Sequence, residues 1–157
     1  MVSTGWLKKA ELFEVLEESQ LNVILSYSTI EPFPEGKVIF RQGDEATYLY
    51  VLIEGAVELT VTGHDQTDLM ASQAQREGTV FGIPSLIEPF RYNVTAKCLI
   101  PTKVLRIEAV QLRKRMEDDP RMGMNMMKKL AFIYFTRLND TRMGVSKLLK
   151  GFPSKKP

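Results

Sequence analysis

Phe33-Pro-Glu-Gly-Lys-Val-Ile-Phe-Arg-Gln-Gly-Asp44, continuing as Glu-Ala-Thr-Tyr-Leu-Tyr-Val-Leu-Ile-Glu-Gly-Ala-Val57, is the stretch whose reading decides the fold. Lys37–Arg41 alternates, with Val38 and Phe40 on one face, the period of a half-buried strand. Tyr48–Ile53 is apolar on both faces, as a strand covered on both sides is. Ala56–Val61 alternates again, with Val57, Leu59 and Val61 inward and Glu58 and Thr60 outward. Glu54-Gly55 between these runs reads as a tight hairpin turn.

The same texture extends outward. Further strands are predicted at Leu69–Gln75, Thr79–Phe81, Asn93–Cys98 and Thr102–Ile107, with turn glycines at 36, 43, 55, 63, 78 and 82. Many short strands with regular turns mean a sandwich, barrel or roll. Both ends are helical. Leu7, Ala10, Leu12, Phe13, Val15 and Leu16 fall near helical spacing, and a second short helix starts after Ser19. Pro32 and Pro34 end that tendency. Glu108–Glu117 is a short helix. Asp119-Pro120 supplies an N-cap and a first helical residue for a long one, which runs until Gly151 and Pro153. Lys147 and Lys150 suit its C-terminal dipole, and Gly151 suits the position just past its end. Along it Met127, Ala131, Tyr134, Leu138, Thr141, Val145 and Leu148 repeat every four and three residues, an a/d seam. The early half is expected to pack on the β domain and the later half to pair with a second copy in a homodimer.

Gly36, Val38, Ile39, Gly43, Asp44, Tyr48, Gly55 and Val57 fit G-x-x-[IV]-[IF]-x-x-G-D, an aromatic-rich strand and G-x-V without a gap. This resembles the cyclic nucleotide-binding domain family, which includes catabolite-activator-type regulators and the regulatory subunits of cyclic-AMP-dependent kinase. The resemblance implies an α+β fold: an antiparallel β-roll of double-stranded jelly-roll type, flanked by N-terminal helices and a long C-terminal helix. The divisions would be 1–28 for the N-terminal helices, 29–107 for the roll, 108–150 for the C-terminal helices with the dimer seam, and 151–157 for a tail.

A second stretch, Phe81-Gly-Ile-Pro-Ser-Leu-Ile-Glu-Pro-Phe-Arg-Tyr-Asn-Val-Thr-Ala96, stands where this family has its phosphate-binding cassette, F-G-E-[LIV]-A-L-L…P-R-x-A-T-V-x-A. In the family, exposed N–H groups at the start of a short helix meet the cyclic phosphate, a glutamate accepts from the ribose hydroxyl and an arginine pairs with the phosphate. Phe81, Gly82, Leu86, Val94 and Ala96 match, and Ser85 replaces the small alanine. Ile83 replaces the glutamate, and Pro84 follows it without an N–H. Aligned without gaps, Phe90 takes the arginine's place; Arg91 takes it if the loop is one residue shorter. Glu88 is the nearest carboxylate. The resemblance thus implies ligand-binding positions at Phe81, Gly82, Ile83, Pro84, Ser85, Arg91, Tyr92 and Asn93, with Met127 and Tyr134 of the long helix beside the base. Met124 and Ala131 lie on the same stretch, where packing is the plainer role. Losing the charged hydrogen bond to the ribose costs on the order of 1.5–3 kcal/mol, or about ten- to a hundredfold in affinity. Cyclic AMP or cyclic GMP is the ligand implied, and weak or absent binding is the expectation.

Composition narrows the rest. At 157 residues, 44% hydrophobic and 25% charged, the chain suits one domain with a real core. One histidine and one cysteine exclude a zinc or iron site built on several imidazoles. His64 sits in a polar loop, so neither a catalytic triad nor a cupin-like metal enzyme is expected, and no catalytic residue is assigned. Cys98 forms no internal disulfide, reads as a buried strand thiol and suits the cytoplasm. No apolar run is long enough for a membrane helix, and the N-terminus has no secretory pattern. Residues 1–119 hold 12 basic and 18 acidic side chains, whereas residues 120–157 hold 9 and 1. A basic C-terminal segment can meet nucleic acid, anionic lipid or an acidic effector protein. Only seven residues follow Lys150, so a helix-turn-helix and sequence-specific DNA binding are not expected. Two functions stay open: a sensor that couples ligand in the cassette to the C-terminal helix, and a degenerate domain used only for dimerisation or docking.

Overall fold

The computed structural model describes residues 2–65 and 68–151. Helix α1 (Thr4–Lys9) and a 3-10 turn (Phe13–Val15) lead to α2 (Glu18–Ser26). Eight strands follow: β1 (Ser28–Phe33), β2 (Val38–Phe40), β3 (Tyr48–Glu54), β4 (Val57–Thr62), β5 (Asp68–Ala74), β6 (Val80–Phe81), β7 (Thr95–Cys98) and β8 (Thr102–Glu108). Helices α3 (Ala109–Asp118) and α4 (Pro120–Lys150) close the chain. Two antiparallel four-stranded sheets, ordered β1-β8-β3-β6 and β2-β7-β4-β5, form the roll. The α+β roll with terminal helices is the fold the resemblance implied.

Strand β3 is the wall of this architecture. Leu49 and Val51 on one face join a core with Leu12, Phe13 and Ile24 of the N-terminal segment and Met122, Met126, Leu130 and Ile133 of α4. Tyr50 and Leu52 on the other face join a second core inside the roll, with Phe40, Phe81, Tyr92 and Val104. Period-two alternation therefore feeds two cores from one strand. Each fully buried side chain of this size contributes roughly 1.5–3 kcal/mol, so Leu49, Tyr50, Val51 and Leu52, all buried, hold β3 in the interior.

The structure corrects several sequence expectations. Glu54-Gly55 is not a hairpin turn, because β3 and β4 lie in different sheets and do not pair. Gly55 instead makes a corner between sheets at φ 115°. A Cβ there would stand 2.4 Å from Thr102 Oγ1 and 2.7 Å from Thr102 Cα, so only glycine lets the β8 backbone this close. Thr60, expected outward, is buried. β1 was not anticipated as a strand, because it contains Pro32; it is an edge strand, where a missing N–H is tolerated. The first helix does not run through to Leu16. It stops at Lys9, and Leu12 takes φ 74° so that Leu7, Leu12, Phe13 and Leu16 can all be buried. Val15 is exposed.

The second helix starts at Glu18, earlier than expected, under a capping box in which Glu17 N–H donates to Gln20 Oε1 at 2.8 Å. At the start of α4 the Asp119 carboxylate accepts from Met122 N–H at 3.3 Å, with Pro120 first in the helix. The 31 residues of α4 make a rod of about 46 Å. Its early half packs through Met122, Met126, Leu130 and Ile133, a stripe one step round from the a/d seam. The seam side is open: Met127, Tyr134, Leu138, Val145 and Leu148 are exposed, together with Phe132 and Phe135. Gly151 caps α4 in a right-handed conformation, its N–H reaching Leu148 O. The rest of the tail expected at 151–157 lies outside the described residues.

Candidate functional site

Phe81 ends β6, and the chain must then leave the sheet and turn over the mouth of the roll. Gly82 does this at φ 75°, in the left-handed region. A Cβ on it would lie 3.1 Å from the Tyr50 ring, 3.2 Å from Tyr48 O and 3.3 Å from the Tyr92 ring. A 3-10 turn, Ile83–Leu86, follows with Pro84 in its first positions. Between this turn, the roll interior and α4 lies a cavity of about 150 Å³. Phe81, Gly82, Ile83, Pro84, Tyr92, Asn93 and Tyr134 line it; Phe40, Leu59, Ser72, Val94 and Arg137 complete the wall.

Three predicted positions lie elsewhere. Ser85 is fully buried beneath the turn, its carbonyl accepting from Arg113 and its hydroxyl without a partner. Arg91 is exposed and extends toward Gly43 O, 3.4 Å from Nη1, while its backbone bridges to Glu45. Met127 sits in a separate groove of about 400 Å³ with Leu86, Phe90, Arg113, Met116 and Met124. Phe90, the residue aligned with the family arginine, has its ring 3.9 Å beneath the Arg113 guanidinium on the outer face of the cassette. Glu88 is exposed.

Aromatic rings fill most of the roll. Phe40 stacks on Tyr92 with centroids 3.8 Å apart and planes at 15°. Tyr50 stacks on Phe81 at 5.2 Å and 13°. The Tyr92 hydroxyl donates to Tyr48 O at 2.7 Å and accepts from Tyr48 N–H at 3.1 Å. Burial pushes the Tyr50 and Tyr92 hydroxyls up from the ordinary tyrosine value, further favouring the neutral form. Ile83 is 2% exposed and also packs into the helical-side core. A glutamate at this position would bring an ion into an apolar surrounding, at a penalty of several kcal/mol without a partner.

Two features escaped the sequence reading. Tyr92 was named as a site residue, but its filling role was not; aligned without gaps it stands at the alanine of the motif's R-x-A-T. Arg137 was not named at all. Its signal is phase: Met126, Leu130, Ile133 and Arg137 continue one stripe with spacings of four, three and four, so α4 carries a cation on its roll-facing side. Arg137 Nη2 donates to Glu11 Oε2 at 2.9 Å and to Val80 O at 3.1 Å. Glu11 Oε2 also accepts from Val80 N–H at 3.1 Å. Burial raises the Tyr134 phenol, and the neighbouring Arg137 opposes that shift.

Cys98 is buried in β7, and desolvation raises its thiol above the ordinary value, which disfavours the reactive thiolate. Among the described residues no group of His, Cys, Asp and Glu could hold a metal ion, and no helix is long and apolar enough to cross a membrane.

The family model of the cyclic nucleotide-binding domain matches residues 30–119. A structure described as that of a cyclic nucleotide-binding protein from Geobacter metallireducens GS-15 superposes with a TM-score of 0.76 at 31% identity, covering 88% of this chain and 99% of that one. A cGMP-dependent protein kinase of Toxoplasma gondii is 32% identical over 94 residues, 59% of this chain and 9% of the kinase. The global nitrogen regulator of Nostoc is 27% identical over 121 residues, 76% of this chain. The chain thus spans only 52% of that regulator's length.

Proposed function

This chain belongs to the cyclic nucleotide-binding domain family, and on that premise we propose that it is a non-catalytic regulatory module whose cassette cavity signals through α4. One observation carries the reading: Tyr134 and Arg137 of α4 form part of the cavity wall. An occupant that reaches these residues touches the helix that would carry the signal, and a change in occupancy can bias the position of α4. A role in the cytoplasm suits the buried free thiol of Cys98.

In this reading a cyclic nucleotide binds weakly or not at all. Ligand pockets for molecules of drug size run to roughly 300–1,000 Å³, and this cavity holds about 150 Å³. The Ile83 side chain offers no acceptor for a ribose hydroxyl, and Arg91 extends toward Gly43 O. Calorimetry with cyclic AMP and cyclic GMP is expected to give no binding tighter than micromolar; a sub-micromolar constant for either overturns this part of the reading. The ligand-facing set is then Phe81, Gly82, Ile83, Pro84, Tyr92, Asn93 and Tyr134. Ser85 and Arg91 act on the cassette's own conformation.

The output of the module is a homodimer through α4. Leu138, Val145 and Leu148 are 47%, 48% and 66% exposed, and a second α4 laid along this seam buries them knob-into-hole. Leu138→Glu, which disturbs no buried contact, is expected to convert the dimer to monomer in sedimentation velocity without changing the circular dichroism of the folded chain. A monomeric parent would refute the dimer. The aromatic filling of the roll also favours a second reading, a docking domain that uses the fold with no ligand. Absence of thermal stabilisation by any small molecule supports that reading over the first.

A further inference from the structure

Arg137 is the one charged side chain in the wall of the cassette cavity among the described residues. It comes from α4, whereas the positions aligned with the family arginine, Phe90 and Arg91, are not part of this wall. Around it the wall is aromatic, with Phe40, Phe81 and Tyr92, and carries the polar groups of Asn93 and Tyr134. Size adds a second constraint. A cavity of this volume admits a molecule of about the dimensions of benzene. An apolar body of that size would lie against the rings, and only a negative group would find a charged partner.

Arg137 already has a carboxylate partner. Its Nη2 bonds Glu11 Oε2 at 2.9 Å and Val80 O at 3.1 Å. Glu11 belongs to the segment between α1 and the 3-10 turn, and its N–H donates to Gly78 O in the loop before β6. Lys129 of α4 reaches Glu14 of the 3-10 turn that follows. Arg137 thus lines the cassette cavity and, with Glu11, a second pocket of about 460 Å³, while its guanidinium holds a polar latch that ties α4 to the N-terminal segment. The Arg137–Glu11 pair is partly solvated, with side-chain exposures of 39% and 40%. Such pairs are worth at most about 1 kcal/mol, so a better-placed anion can replace Glu11.

We propose that the cavity binds a small monocarboxylate with a compact apolar body, the size of benzoate, which takes Arg137 from Glu11 and so loosens the latch between α4 and the N-terminal segment. The site rests on the regulatory reading above and gives its ligand a chemical class. It explains why α4 closes the cavity with an arginine while the cassette turns Arg91 outward.

The test uses the full chain with benzoate and its neutral isostere benzamide, read by calorimetry and thermal shift. Benzoate is expected to bind saturably, and benzamide at least about tenfold more weakly, the measure of one charge-assisted hydrogen bond. Arg137→Gln is expected to abolish that difference. Arg137→Lys, which keeps the charge, is expected to retain part of it, and circular dichroism verifies that both variants fold. Glu11→Gln removes the competitor and keeps an acceptor for Val80 N–H, so benzoate is expected to bind about threefold more tightly. No saturable benzoate response up to about 10 mM, equal binding of benzoate and benzamide, or unchanged preference in Arg137→Gln overturns the site. Unchanged benzoate affinity in Glu11→Gln overturns the competition. Sub-micromolar cyclic AMP binding defeats the cavity reading on which this rests, whereas equal benzoate and benzamide binding defeats this site alone.

Discussion

Tyr92→Ala is expected to lower the unfolding free energy by about 3–5 kcal/mol, the range for deleting a large aromatic side chain from a core. The ring is 4% exposed and lies 3.8 Å from Phe40, so nothing nearby can collapse into the space without unstacking. Its hydroxyl also bridges the N–H and C=O of Tyr48. Tyr92→Phe isolates that part of the loss: the ring stays, a buried bridge is broken, and the expected cost is about 1–3 kcal/mol. Urea denaturation measures both. The alanine variant should also join the ring's volume to the existing cavity and bind apolar molecules larger than benzene, which the parent cavity does not admit. If both variants unfold at the parent midpoint, the ring is not holding the roll shut.

Gly55→Ala is expected to cost about 2–6 kcal/mol. Strain contributes on the order of 1–3 kcal/mol, because a residue with a Cβ must hold φ 115°. Overpacking contributes about 1–3 kcal/mol, because the new methyl would stand 2.7 Å from the Thr102 Cα, which is backbone and cannot rotate aside. Gly36→Ala separates the two causes. It has φ 83° with nothing within 4 Å of its Cβ, so it should show the strain alone. Equal losses in both variants, measured by thermal or urea unfolding, would show that the contact with Thr102 contributes nothing.

What the sequence revealed and what it hid follow from the range of the forces involved. Strand periods, the Asp119-Pro120 start and the buried double-faced run at Tyr48–Ile53 are local, and they were legible. Partnership between strands is not local. Glu54-Gly55 has the composition of a hairpin, yet Thr102, far along the chain, sets the conformation at Gly55. Pro32 argues against a strand until an edge position removes its handicap. In the site, Gly82 and the loss of the glutamate at Ile83 could be read from the motif. The direction of Arg91 could not, because the turn from Pro89 through Phe90, at φ 58°, decides it. Arg137 lay outside the motif, and recognising it required knowing which stripe of α4 faces the roll.

The wall made by β3 has a consequence for how this fold changes over generations. Leu49 and Val51 answer to the helices, while Tyr50 and Leu52 answer to the roll. Substitutions inside the roll can therefore accumulate as a set, ring against ring, without disturbing the packing that joins the terminal helices to the sheet. Drift in ligand preference and loosening of the terminal helices become separate risks, carried by alternate residues of a single strand. A lineage can thus exchange one occupant for another, or for its own side chains, and keep the same scaffold standing.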